Sequence, residues 1–160
     1  MTDAVTKVLF VCLGNICRSP TAEAVLRGLA EKQGMADELH IDSAGTSSYH
    51  IGESPDERAA SVAKARGYDM ANIVGRQVSS RDFEHFDFIL AMDNANLREL
   101  RRHCPAAFQD KIRLFLSFAD NNAQNEVPDP YYGGPDGFDQ VFDLVEKAAL
   151  GLLESIKAGR

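Results

Sequence analysis

Apolar positions recur along this chain with two different periods. Val8, Leu9, Phe10 and Val11 form an unbroken hydrophobic run that reads as a strand, after which Ala22, Val25, Leu26, Leu29 and Ala30 repeat at helical spacing. Pro20 suits the first turn of that helix, where its missing N–H costs nothing, and Gly34 supplies a stop. Residues 39–44 alternate as a second strand. Ser54-Pro55-Asp56-Glu57 reads as an N-cap, a helical proline and a capping-box acid ahead of a helix ending near Gly67. Residues 86–91 predict a third strand, 94–103 a helix and 112–116 a fourth strand. Phe138, Val141, Phe142, Val145, Ala149, Leu152 and Ile156 then stripe a long C-terminal helix. With no repeat, low-complexity tract or linker, the alternation predicts an α/β domain, a parallel sheet with helices on both faces.

The first strand runs straight into Cys12-Leu13-Gly14-Asn15-Ile16-Cys17-Arg18-Ser19-Pro20, so Cys12 falls at the carboxyl end of the sheet, where such folds bind ligands. Five residues between Cys12 and Arg18 are enough for the backbone to wrap a tetrahedral oxyanion, with successive N–H groups and the guanidinium converging on its oxygens. The same donors and the dipole of the following helix favour negative charge. Cys12 is therefore expected as a thiolate, the form that attacks phosphorus.

Composition narrows the setting. A net charge of −7 argues against nucleic acid as a partner and obliges any phosphate site to build its own positive field, which the 12–19 loop does. Three cysteines, an odd number, point to thiol chemistry in a reducing compartment, the cytoplasm, rather than to a disulfide framework. Neither a secretory leader nor an apolar stretch of about 18 residues is present, so no membrane span is expected. His40, His50, His85 and His103 show no metal-binding pair, and Cys12 and Cys17 lack a second ligand pair. No metal or other cofactor is expected.

Expelling an alkoxide or phenolate from phosphorus needs an acid, and hydrolysing the resulting thiophosphate needs a base. Asp129 is the candidate for both. It lies between Pro128 and Pro130, which restrict its backbone, and Tyr131 and Tyr132 follow to give the segment an aromatic surface. The rival reading of Asp129 is a plain turn former.

Val11 to Glu23 in the first loop and helix, Ser43-Ala44-Gly45-Thr46, Ser54-Pro55-Asp56, Gly75-Arg76-Gln77, Met92-Asp93 and Asp129-Pro130-Tyr131 resemble, in order and spacing, the low-molecular-weight protein tyrosine phosphatases. Essentially the whole chain carries the resemblance, and Tyr49 makes it similar to the eukaryote-like subgroup. The resemblance implies a flavodoxin-like sandwich of about four parallel strands, one domain over residues 1–160. It implies Cys12 as nucleophile, Arg18 as phosphate clamp and Asp129 as general acid and then base. Leu13, Gly14, Asn15, Ile16, Cys17, Arg18 and Ser19 would bind the phosphate. Ser19 would hydrogen-bond the sulfur, and Asn15 would sit left-handed in a network that includes Ser43. Ile16, Tyr49, Tyr131 and Tyr132 correspond to cleft walls, and Cys17 to a redox partner that captures oxidised Cys12, its rival reading being a small apolar filler.

The implied substrates are phosphotyrosine-containing proteins, with a cognate tyrosine kinase acting on Tyr131 and Tyr132. Two other readings stay open at this point. A thioredoxin-coupled arsenate reductase shares the fold and loop but needs two further cysteines close together, and Cys104 stands alone. A non-catalytic phosphotyrosine-binding module would be expected to have lost the nucleophile or the acid.

Overall fold

The run Val8–Val11 becomes the middle of β1 (Thr6–Cys12), where four successive side chains are wholly buried because both sheet faces are covered. β1 pairs in parallel with β2 (Leu39–Gly45) on one side and with β3 (Phe88–Ala91) on the other. β3 in turn pairs in parallel with β4 (Ile112–Leu114), giving the order β2-β1-β3-β4. The computed structural model describes residues 5–119, 124–130 and 136–159.

Alternation along β1 divides the core in two. Val8 and Phe10 face α1 (Arg18–Lys32), α2 (Glu57–Ala65) and α5 (Gly137–Ala158), packing with Val25, Leu26, Ala59, Phe142, Val145 and Leu152. Leu9 and Val11 face α3 (Ser80–His85) and α4 (Asn94–His103), among Phe83, Ile89, Leu100 and Ile112. Each such buried side chain contributes about 1.5–3 kcal/mol of transfer free energy. The predicted α/β architecture is the one observed. Among the described residues, no helix is long and apolar enough to cross a membrane.

Several boundaries differ from the sequence expectation. α1 begins at Arg18, so Pro20 is its third residue, still among the first four positions whose N–H has no intrahelical acceptor. The N-cap of α2 is Asp56, not Ser54. Its carboxylate accepts the N–H groups of Arg58 at 2.8 Å and Ala59 at 3.4 Å, which places Pro55 before the helix. Phe86 caps α3 and pairing starts at Phe88, while β4 ends at Leu114 because Phe115–Phe118 turns into a 3-10 helix. There Phe115 meets Phe10 edge-on at 4.9 Å between centroids. α3 was not predicted: six residues hold less than two turns of periodicity, although its capping box, Ser79 with Asp82, is present in the sequence.

Gly151 in α5 faces the carbonyl of Phe118, and a Cβ there would fall on top of that oxygen. Helix propensity alone favours alanine over glycine by about 1 kcal/mol. Gly151→Ala is nevertheless expected to destabilise the fold by about 2 kcal/mol or more, as overpacking outweighs propensity. Urea unfolding measures this, and a stabilised variant would contradict the packing described.

Candidate active site

β1 delivers Cys12 to the carboxyl end of the sheet, and the chain then turns through 13–17 into α1. The carbonyls of this loop are held from outside. Thr46 N–H donates to Cys12 O at 2.9 Å, Ser47 N–H to Leu13 O at 3.0 Å and Asp56 N–H to Ile16 O at 2.8 Å. Because a trans peptide sets its N–H opposite its C=O, fixing these carbonyls outward turns the N–H groups of Leu13, Gly14 and Cys17 toward the loop interior. Gly45 permits the close approach, since a Cβ there would stand 2.7 Å from Leu13 O.

Asn15 is the one non-glycine residue with positive φ among those described, at 57°. Asparagine tolerates that region better than most residues, and here its side chain also locks it. Its Oδ1 accepts the main-chain N–H of Arg76 at 3.0 Å, a donor that cannot reverse, so the amide orientation is fixed. Nδ2 then donates to both Ser19 Oγ at 2.9 Å and Ser43 Oγ at 3.0 Å. Each hydroxyl, having accepted, passes its own proton outward. Ser43 donates to Glu23 Oε1 at 2.6 Å, and the nearest acceptor for Ser19 is Cys12 Sγ at 3.0 Å. Asn15 N–H reaches the same sulfur at 3.2 Å. Burial raises the Glu23 carboxyl above the ordinary range, against the opposing effects of Ser43 and of Arg27, which lies 2.6 Å away.

Arg18 is buried beside the sulfur, hydrogen-bonded through Nη1 and ion-paired through Nη2. Its Nη1 donates to Asp93 Oδ2 at 2.7 Å and to the carbonyl of Val127 at 3.0 Å, while Nη2 lies 3.8 Å from Asp129 Oδ2. Burial opposes its charge, but Cys12, Asp93 and Asp129 outweigh that and keep the guanidinium more firmly protonated than usual. Asp93 is also the N-cap of α4, accepting Asn96 N–H at 2.8 Å with its other oxygen. One carboxylate thus fixes both the Arg18 guanidinium and a helix terminus.

Cys12, Leu13, Gly14, Ile16, Cys17, Arg18, Tyr49, His50 and Asp129 line one cleft of about 150 Å³. Tyr49, 78% exposed, stands at its rim. His50 leans on Gly14 and bonds Glu53 through Nδ1 at 3.0 Å. Cys17 shares the cleft, yet burial first, then Asp56, Cys12 and Asp129, push its thiol up to about 12. Ser43 lies outside the cleft, three hydrogen bonds from the sulfur by way of Asn15 and Ser19. Tyr131 and Tyr132, also expected as walls, lie outside the described residues. Among the described residues, no group of three or more His, Cys, Asp or Glu side chains is placed to hold a metal ion.

The sequence reading assigned no role to Asp93, Glu23, Arg76, Val127 or His50. Asp93 carried a signal, an aspartate between a predicted strand and a predicted helix, which is an N-cap pattern at the binding edge. Arg76 and Val127 act on Asn15 and Arg18 through main-chain atoms, which no side-chain motif reports.

Residues 7–160 match the family model described as low molecular weight phosphotyrosine protein phosphatase. A protein of that description from Schizosaccharomyces pombe is 44% identical over 151 residues, 94% of this chain and 96% of its own. The crystal structure of a protein tyrosine phosphatase from Entamoeba histolytica, with Hepes in the active site, superposes with a TM-score of 0.93 at 45% identity, covering 96% of this chain and 98% of that one. A Drosophila arginine phosphatase structure does so at 0.88 and 36%, covering 95% and 98%.

Burial and the neighbouring acids, which push its thiol up to about 12, keep Cys17 a neutral thiol at pH 7 to 8 and slow its alkylation by a reagent from solvent. Iodoacetamide at pH 7, followed by peptide mass mapping, is expected to leave Cys17 unmodified in the folded protein and to label it after unfolding. Labelling of folded Cys17 at the rate of a free thiol would contradict the burial described.

Proposed function

The chain belongs to the low molecular weight phosphotyrosine protein phosphatases, and we propose that its cleft hydrolyses protein phosphotyrosine through a cysteinyl-phosphate, using Cys12, Arg18 and Asp129. The observation that carries this reading is the convergence of all three on one cleft, with the guanidinium 3.8 Å from the carboxylate. In the first step Cys12 Sγ attacks phosphorus, an S–P bond forms, the P–O bond to the tyrosine breaks and Asp129 gives its proton to the departing oxygen. In the second, Asp129 takes a proton from water as the water oxygen attacks phosphorus. The S–P bond breaks and inorganic phosphate leaves. Arg18, with Nη1 held by Asp93 and Val127, offers its guanidinium to the equatorial oxygens alongside the inward N–H groups of Leu13, Gly14 and Cys17.

Depth sets the choice of substrate. Ile16 and the exposed Tyr49 line the cleft that holds the buried Cys12, which suits a phosphate carried on a long flat side chain that buries its ring against them, whereas phosphoserine would bring its backbone into the rim. We assign Tyr131 and Tyr132, which lie outside the described residues, to modification by a tyrosine kinase. Cys17 is assigned to redox protection: a sulfenic acid on Cys12 condenses with the Cys17 thiol to a disulfide and water, and an external thiol reductant reverses it. The arsenate reductase reading finds no support, since Cys104 packs in the core cluster under α4 and lines no part of the cleft. A module that only binds would not require both Cys12 and Asp129. Three free thiols support a cytoplasmic setting, and a sheet shared by both core clusters supports a single domain over 1–160.

Hydrolysis of phosphotyrosine, phosphoserine and phosphoarginine peptides of one flanking sequence, in excess EDTA, tests this. Phosphotyrosine is expected to lead in kcat/KM by about a hundredfold or more, with Cys12→Ser and Arg18→Ala losing most turnover. Appreciable turnover by Cys12→Ser would refute the covalent mechanism, and equal rates on the peptides would refute tyrosine selectivity.

A further inference from the structure

Two segments distant in sequence meet at the start of α4. Asp93 caps the helix from within and holds Arg18. Glu126 reaches it from outside: its Oε2 accepts the main-chain N–H of Asn94, the first residue of α4, at 2.8 Å. The next residue, Val127, is 1% exposed and spends both main-chain groups on the same corner, its N–H donating to Met92 O at 2.8 Å and its carbonyl accepting Arg18 Nη1 at 3.0 Å. Gln124 Nε2 closes the turn from behind, donating to Glu126 O at 2.9 Å.

These bonds fix the chain two residues ahead of Asp129. Pro128 follows at once with its φ locked, and Pro130 restricts Asp129 from the other side, so little backbone freedom separates the fixed point from the carboxyl. The carboxylate of Glu126 also sits where the exposed N–H groups of a ten-residue helix favour negative charge. Glu126 does not line the cleft, and it is only half-buried, so it makes no direct contact with a bound phosphate and adds little to the core.

We infer that Glu126 is a positioning residue for proton transfer: by tying the 124–127 segment to the N-terminus of α4, it aims Asp129 at the leaving oxygen. This rests on Asp129 acting as the general acid. The corner joins the acid segment and the phosphate clamp, since Val127 carries Arg18 on its carbonyl while its neighbour Glu126 holds the helix that Asp93 caps.

The test is kcat/KM on phenyl phosphate and on p-nitrophenyl phosphate, because this constant reports the steps through loss of the leaving group, and only the poor leaving group depends on protonation. Glu126→Ala is expected to lose about tenfold on phenyl phosphate and to stay within about twofold on the nitrophenyl ester. Glu126→Asp, charged but one methylene too short to reach Asn94, should behave like alanine. Glu126→Gln, whose amide oxygen still accepts that N–H, should recover most of the loss. Asp129→Asn should show the same selectivity at larger amplitude. If Asp129→Asn is selective while Glu126→Ala and Glu126→Asp lose equally on both esters, or on neither, the inference is overturned and the acid assignment stands. Equal loss in Asp129→Asn overturns both.

Discussion

A left-handed backbone at Asn15 shapes the phosphate loop, and the rest of the site depends on its being held there. Without φ near 57° the chain could not carry Cys12 at the loop's floor and return to α1 within five residues. The Asn15 amide is the clamp. Its oxygen takes Arg76 N–H and its nitrogen orders two hydroxyls, so one buried side chain ties β2, the 75–77 segment and α1 together beneath the sulfur. Each of these hydrogen bonds contributes about 1 kcal/mol net, while leaving one of these groups buried and unpaired costs about 1–3 kcal/mol, so the network is more costly to break in part than to lose whole.

Charge is handled just as locally. The chain carries −7 overall, yet at the cleft the inward N–H groups, the start of α1 and Arg18 converge on one spot. Arg18 does not sit there alone. Asp93 neutralises and aims it through Nη1, and because Asp93 also caps α4, the guanidinium is as firmly placed as the helix. Fold and cleft share their supports: removing Asp93 would loosen a helix and the buried cation of the cleft together.

Much of this was legible in the sequence. The apolar run of β1, the stripe of α5 and the loop from Cys12 to Arg18 follow from periodicity and spacing, and Cys12 does end β1 at the carboxyl end of the sheet. What failed was short or indirect. Six-residue α3 gives too few turns to show a period, β4 was overrun because Phe115 and Leu116 stay buried after the chain leaves the sheet, and Ser54 lost the cap to Asp56 because Pro55 lies outside the helix. In the site, Arg76 and Val127 contribute backbone atoms, which carry no signature of side-chain type. Glu23 looked like an ordinary polar position on an amphipathic helix, and only the fold turns it inward to Ser43.

The central claim, that the Asn15 amide and not merely a tolerant backbone holds the loop, is tested most directly by the Kd for inorganic phosphate in Asn15→Gly beside the wild type and Asn15→Ala, measured by calorimetry. Glycine adopts φ of 57° without strain but has no amide. The network account expects Asn15→Gly to bind phosphate about tenfold or more weaker than wild type, with Asn15→Ala weaker still. Wild-type affinity in Asn15→Gly would mean that backbone conformation alone shapes the site, and it would contradict the account.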